Sequence, residues 1–363
     1  MSEEATPHIL WLDDPQARDN PALGGKFSSL ATSVAAGYAV PPGFGITTHA
    51  FRAFIKAAGL EEEIRRVRKV ATEVEPAQLK AETAGLIRRI MEEPMPDSLR
   101  SEITRAYRKL EERTGIIDVP VAVRSSGESE DLAGASFAGQ YETFLWVADT
   151  ENVLRHARLC WAGMFSDTVL TYRHEGQQVA ALSDFAICVG IQQMVQARSA
   201  GVMFTLDPIT GDRSKIVIES CWGLGEGVVK GDVTPTQFKV DKVTLQVLKR
   251  SPHTQTHEYR FDPQAGEVGF CEVEPERQDA ICLPDETVIE LAKFAKQVEK
   301  DRGAPQDIEW AVDDKLRLRV LQVRPETVWS SKPAQPITRV KSPVDYVLKR
   351  MTGGQSLVES GGK

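Results

Sequence analysis

The sequence contains no apolar run near the ~18 residues that a membrane helix needs. Its N-terminus, MSEEATPHIL, lacks a basic stretch leading into an apolar one. Neither a membrane span nor a secretory signal is therefore expected. Cysteine is scarce: Cys160, Cys188, Cys221, Cys271 and Cys282 are widely spread, and no pair has Cys-x-x-Cys spacing. That spacing supports neither a disulfide framework nor a zinc site. Positive charge is not in excess either, with 44 Lys and Arg against 52 Asp and Glu and a formal charge of −8. The balance argues against a nucleic-acid backbone as the main partner, while leaving room for a local basic pocket. What is present is ordinary for a globular chain: 363 residues, 41% hydrophobic and 26% charged. This predicts two domains or one two-lobed unit, in a cytoplasmic protein.

The patterning predicts an α+β chain whose strands cluster rather than alternate strictly with helices. Residues 1–25 read as loops around one short strand. A helix is expected from Ser28 to Ala36, stopped by Gly37, then a turn at Pro41-Pro42-Gly43 and a helix through Ala58 capped by Thr47 or Thr48. Apolar residues at helical spacing (Ile64, Val67, Val70; Leu86, Ile87, Ile90) predict two or three amphipathic helices over 61–113, broken at Glu75-Pro76 and at Pro94 to Pro96. Strands are expected at 119–123, 141–147, 186–195, 201–205, 216–220, 238–240 and 243–248. Helices are expected at 152–165 and from Pro284 toward Lys300. Two final strands, 307–312 and 316–324, flank the turn Asp313-Asp314, and the glycine-containing end reads as a tail.

Several stretches suit phosphate chemistry. Gly24-Gly25-Lys26 is not a P-loop, which needs Gly at Asn20 and Ser or Thr at Phe27. Two glycines and a lysine opening a helix still gather backbone N–H groups and an ammonium; the alternative is a turn with a solvated lysine. Trp222-Gly223-Leu224-Gly225-Glu226-Gly227 has G-x-G-x-G spacing and no adequate helix after it, so dinucleotide binding is not expected. Arg124 leaves an apolar strand, so it either pairs with a carboxylate or awaits an anion. The following stretch, SEDLAGASFAGQYET, reads as a hydroxyl-rich glycine loop able to cover phosphates.

Strand alternation is most informative at the end of the chain. It places Asp307, Glu309 and Ala311 on one face and Ile308, Trp310 and Val312 on the other. In the next strand it groups Val320, Gln322 and Arg324. If the polar faces coincide, a carboxylate, an amide oxygen and an arginine converge as a magnesium–triphosphate requires. The alternative is an exposed face with a surface ion pair.

Together these stretches resemble the nucleotide-binding domain of the phosphoenolpyruvate synthase and pyruvate phosphate dikinase family. The matching segments are GGKFSSL (24–30), VPPGFGITTHAF (40–51), VAVRSSGESEDLAGASFAGQYETFLWV (121–147), GVMFTLDP (201–208), ESCWGLGEGVVKGDVTP (219–235), QDIEWAV (306–312) and LQVRPETV (321–328). The resemblance implies an ATP-grasp fold, two lobes with ATP between them. Its lobes would be 1–185, with a helical region at about 48–114, and 186–328, followed by a tail over 329–363. By position it implies that Lys26 and Arg124 hold ATP phosphates, helped by Gly139 and Thr143, while Gln192 marks the strand that accepts adenine. It implies Glu309 and Gln322 as ligands of magnesium (or manganese), and Arg324 as the group that stabilises the transferring phosphoryl. Arg324, Arg124 and Lys26 would thus be the catalytic set. Asp307 matches a further acidic position, and Gly127-Glu128 departs from the small residue and threonine common at that point.

The family's carrier histidine lies in a T-x-H-A motif. Of His8, His49, His156, His174, His253 and His257, only His49 in TTHAF superficially fits, and it sits inside the VPPGF segment without the flanking glycines and arginine. The chain therefore resembles an ATP-loading module without its own carrier, as in the ATP-binding subunits of phenylphosphate synthases. That implies a partner subunit bearing the phosphohistidine and the acceptor site, with phenol as acceptor and AMP and phosphate released. The competing readings are a detached nucleotide-binding domain of a phosphoenolpyruvate synthase or rifampin-type phosphotransferase, and a non-catalytic ATP-binding regulator.

Overall fold

A computed structural model describes residues 7–71, 76–127, 142–171 and 186–329. The glycine loop with Gly139, the Glu128 departure, His174 and the tail beyond 329 lie outside the described residues.

A five-stranded antiparallel sheet is built from β1 (Ile9–Trp11), β2 (Gly43–Ile46), β3 (Val121–Gly127), β4 (Thr143–Val147) and β5 (Ile187–Gln193), in the order β1-β2-β5-β3-β4. A six-stranded antiparallel sheet contains β6 (Ser199–Phe204), β7 (Lys215–Trp222), β8 (Thr236–Asp241), β9 (Val247–Ser251), β12 (Gln306–Val312) and β13 (Leu318–Pro325), in the order β13-β12-β6-β7-β8-β9. A separate hairpin, β10 (His257–Asp262) with β11 (Glu267–Glu272), rests on β4 through stacked Trp146 and Phe261 rings 5.1 Å apart. The chain is α+β, as its patterning predicts. The strand expected to open the second lobe belongs to the first sheet: β5 pairs with both β2 and β3, and the chain changes sheet after Gln193.

The helices are α1 (Gly24–Ala35), α2 (Thr48–Ala57), α3 (Glu61–Ala71), α4 (Pro76–Glu92), α5 (Asp97–Thr114), α6 (Thr150–Gly163), α7 (Asp167–Thr171), α8 (Glu226–Lys230), α9 (Pro275–Gln278) and α10 (Asp285–Arg302). α4 begins at Pro76, and α4 and α5 are separated at the break read from Pro94–Pro96, because proline cannot continue a helix from within it. Asp149 caps α6 by accepting from the Asn152 N–H at 2.9 Å.

One apolar core lies between the first sheet and α2–α6, through Val121, Val123, Val189 and Ile191 on the sheet and Phe51, Phe54 and Trp161 on the helices. A smaller core on the opposite face joins α1 to that sheet through Leu23, Phe27 and Cys188. The third packs α10 on the second sheet, around Trp310, Ile308, Val320 and Leu291.

α1 starts four residues before the position expected from sequence, at the glycines themselves. Gly24 has φ +64°, and a Cβ there would lie 2.1 Å from the Ser126 carbonyl oxygen. Only glycine allows the helix to begin this close to β3. α1 also touches the second sheet: Ser29 Oγ donates to the Val323 carbonyl at 2.6 Å, and Arg302 of α10 donates to the Ser29 carbonyl at 2.9 Å. It is a wedge packed on both sheets.

Candidate functional site

Paired positions of an antiparallel ladder share a face. Arg124 of β3 lies opposite Gly190 of β5 and Thr143 of β4, and Ala122 lies opposite Gln192. Arg124, Thr143 and Gln192 therefore sit on one face of the first sheet, the face that carries α1. Phe27 of α1 fills the space at Gly190, where a Cβ would meet its ring at 1.7 Å. The Phe27 N–H donates to Ser126 Oγ at 3.2 Å, which docks the first turn of α1, with Lys26, beside β3. The Lys26 charge acts on the Cys160 thiol, which burial nevertheless pushes up to about 12. Gln192 is buried and donates to the Pro41 carbonyl at 3.5 Å.

On the second sheet, Asp307 lies opposite Arg324 and Glu309 opposite Gln322. The polar faces inferred from alternation therefore coincide for these four residues. Arg324 donates through Nε to Asp307 Oδ2 at 2.8 Å, and its Nη2 lies 2.6 Å from the same oxygen. Asp307 is buried and Arg324 about a third exposed, so this is a charge-assisted contact at the edge of the buried site. Burial pushes the Asp307 carboxyl up, against the pull of Arg324; Glu309 and Glu326 raise it further.

The two faces meet at Arg124. Its Nη2 donates to Gln322 Oε1 at 2.8 Å, its Nη1 donates to the Leu321 carbonyl at 3.1 Å, and Glu309 Oε2 is 3.6 Å away. Of the alternatives read from sequence, the carboxylate neighbour is present, in Glu309. Two buried polar atoms in this cluster, Arg124 Nε and Asp307 Oδ1, have no hydrogen-bond partner among the described residues. The orphaned donor suits a ligand that accepts, and the orphaned carboxylate oxygen suits one that donates or a cation.

These residues fit a metal–triphosphate by donor chemistry. Glu309 and Gln322 present hard oxygens side by side, and the guanidinium of Arg124 occupies the place between them. No group of three or more His, Cys, Asp or Glu residues is arranged to hold a metal among the described residues. Magnesium needs no such cage, since it commonly takes one or two protein oxygens plus phosphate and water.

One expectation is corrected. Val320 does not share the face of Gln322 and Arg324. The ladder shifts register between Glu309 and Trp310, so that Trp310 lies opposite Val320 and Leu321 is unmatched. Val320 is fully buried in the α10 core. A one-residue bulge inverts the side chains of 318–320, and nothing in the alternation of Leu316 to Arg324 signals it. Sequence reasoning also missed Ser126 as the docking point of α1, although it stands in the Arg124-Ser125-Ser126 motif. It missed Glu326, buried within the segment LQVRPETV.

Beyond the bulge lies a cavity of about 430 Å³. Its walls are 39–42, the connection 193–196 between the two sheets, and residues of the β12–β13 turn and early β13, including Asp313, Lys315, Arg317 and Arg319. His49 is in α2, packed on the opposite face of the first sheet.

Residues 20–343 match the model of the pyruvate phosphate dikinase AMP/ATP-binding domain. The chain is 38% identical to a probable phosphoenolpyruvate synthase of Staphylothermus marinus, covering 89% of this chain and 41% of that protein. It is 36% identical to a phosphoenolpyruvate synthase of Aeropyrum pernix, covering 97% and 47%. It is also 40% identical to a prodigiosin synthesizing transferase of Serratia marcescens, covering 86% and 32%. The chain thus spans less than half the length of each of these relatives.

Proposed function

Because the chain belongs to the pyruvate phosphate dikinase AMP/ATP-binding domain family, we propose that it binds ATP between its two sheets and loads a histidine on a carrier that these residues do not supply. The two sheets are then the two lobes of an ATP-grasp unit. The observation that carries this reading is the convergence of Arg124, Glu309, Gln322 and the Asp307–Arg324 pair on one site, with the opening turn of α1 docked beside it.

The geometry supports the following roles. Arg124 and Lys26 bind phosphate oxygens, the first by a planar fork and the second as a point charge. Thr143 acts from β4, with Gly139 as a further contact. Asp307 holds Arg324 by its edge, so the guanidinium is oriented before charge develops on the transferring group. Glu309 and Gln322 hold magnesium, which supplies charge neutralisation at the phosphates. The Arg124–Gln322 bond would be exchanged for contacts to ligand, since a guanidinium and a divalent cation held on one amide oxygen repel each other.

Among the readings weighed from sequence, the names of the relatives support a module of a phosphoenolpyruvate-synthase-like phosphotransferase better than a phenol-phosphorylating subunit. A similar stretch in a Serratia protein named for a different product supports the reading that the acceptor is recognised outside the ATP site. The test is to mix the chain with ATP, magnesium and the histidine-bearing and acceptor-binding part of a phosphoenolpyruvate synthase. Pyruvate and phenol are supplied in separate arms. AMP and phosphoenolpyruvate in the pyruvate arm support the proposal; turnover to ADP contradicts it, and phenylphosphate in the phenol arm favours the subunit reading.

A further inference from the structure

The bulge at Leu321 has a second effect. Past it, Arg319 lies opposite Ala311, and Ala311 shares the face of Glu309. An unbroken ladder would turn Arg319 toward the α10 core and Val320 toward the site. The shift does the reverse: it buries Val320 and brings Arg319 onto the face of Gln322 and Glu309. The strand is thus built to carry a cation there.

Arg319 lines the cavity next to the sheet-to-sheet connection, together with Pro41, Met194 and Val195. Its Nη1 donates to the Leu318 carbonyl at 3.3 Å, and among the described residues its guanidinium forms no ion pair. The neighbouring Asp313 is committed to Arg317, at 2.7 Å. The cavity is also at the right reach. Arg124 is four residues along the chain from Pro120, whose carbonyl accepts from the Met194 N–H at 2.8 Å. At a rise of ~3.3 Å per residue this places the connection roughly 13 Å from Arg124.

We infer that Arg319 holds the nucleoside end of the bound nucleotide, and that the Leu321 bulge exists to place it there. This rests on the ATP reading above. The cavity's apolar side, Pro41, Pro42, Met194 and Val195, suits the flat face of a base, and Gln193, Gln196 and the charged turn residues line the rest. A guanidinium, planar and a donor only, stacks against such a face or donates to ring nitrogens and ribose oxygens. Arg124 and Arg324 then act at the phosphates and Arg319 at the opposite end, which makes Arg319 a specificity-determining residue with no part in phosphoryl transfer.

Calorimetric titration of the wild-type chain, Arg319→Met and Arg319→Lys, with magnesium-ATP and with magnesium tripolyphosphate, separates the possibilities. Thermal melting confirms that the variants fold. Arg319→Met is expected to bind ATP about ten-fold more weakly, with tripolyphosphate affinity unchanged, and Arg319→Lys to recover only part of the loss. ATP affinity that Arg319→Met leaves intact overturns the inference while the ATP reading stands. Parallel loss for both ligands also overturns it, by placing Arg319 at the phosphates. A wild-type chain that binds neither ligand overturns the ATP reading itself.

Discussion

Arg124 donates to Gln322 Oε1 at 2.8 Å and, with its bond to the Leu321 carbonyl, ties the third strand of the first sheet to the edge strand of the second. The first bond holds an arginine on the oxygen expected to ligate a metal. The site is therefore self-satisfied in part, and ligand must replace that contact with stronger ones.

Replacing Arg124 by methionine removes a planar cation while keeping most of the packed stem. Hydrogen bonds to charged groups are worth about 1.5–3 kcal/mol. Magnesium-ATP affinity is expected to fall roughly thirty-fold, or about 2 kcal/mol. Calorimetry measures it; an affinity within two-fold of wild type, in a variant that melts normally, contradicts the assigned role.

Glu309→Gln keeps the shape of the β12 ladder and removes the carboxylate charge. Wild-type ATP binding should weaken when magnesium is chelated, whereas binding by Glu309→Gln should respond little. Titrations with and without chelator decide it, and an undiminished magnesium effect in the variant removes Glu309 from the metal site.

Asp307 has its carboxyl raised by burial in the folded chain. In the unfolded chain it ionises at the ordinary carboxylate value, so between that value and the raised one the folded state holds the extra proton. Its contribution to stability is full below the unfolded value and declines as pH rises through the folded one. Melting of wild type and Asp307→Asn from about pH 4 to 7 should show their difference moving in that direction. A difference independent of pH contradicts the shift.

Gly24→Ala tests how α1 is seated. Alanine at φ +64° is strained, and its Cβ would press within 2.1 Å of the Ser126 carbonyl oxygen. A loss of about 3 kcal/mol in urea unfolding is expected. A loss under 1 kcal/mol means that α1 can shift away from β3 without cost.

Much of this was legible in the sequence because it rests on local periodicity. The helices from Glu61 to Thr114 follow their apolar spacing and proline breaks, and α10 follows Pro284. The strand pair carrying Asp307, Glu309, Gln322 and Arg324 was readable because alternation holds up to the bulge. What was not readable depended on long-range contact. β2 hides in Gly43-Phe44-Gly45-Ile46, where glycines permit close approach and weaken the strand signal: a Cβ on Gly43 would lie 2.4 Å from the Ile191 carbonyl oxygen. The β10–β11 hairpin had a signal that was overlooked, His257, Tyr259 and Phe261 alternating with charged residues. The Leu321 bulge had none, since register is settled by the partner strand.

The central proposal is that nucleotide phosphates lie between Arg124 and Arg324, with metal on Glu309 and Gln322. A crystal structure with magnesium and a non-hydrolysable ATP analogue tests it most directly. The analogue should lie with its β- and γ-phosphates between the two arginines, its base toward 193–196, and the Arg124–Gln322 bond broken. Nucleotide bound away from this cluster, or bound with that hydrogen bond intact, would contradict it.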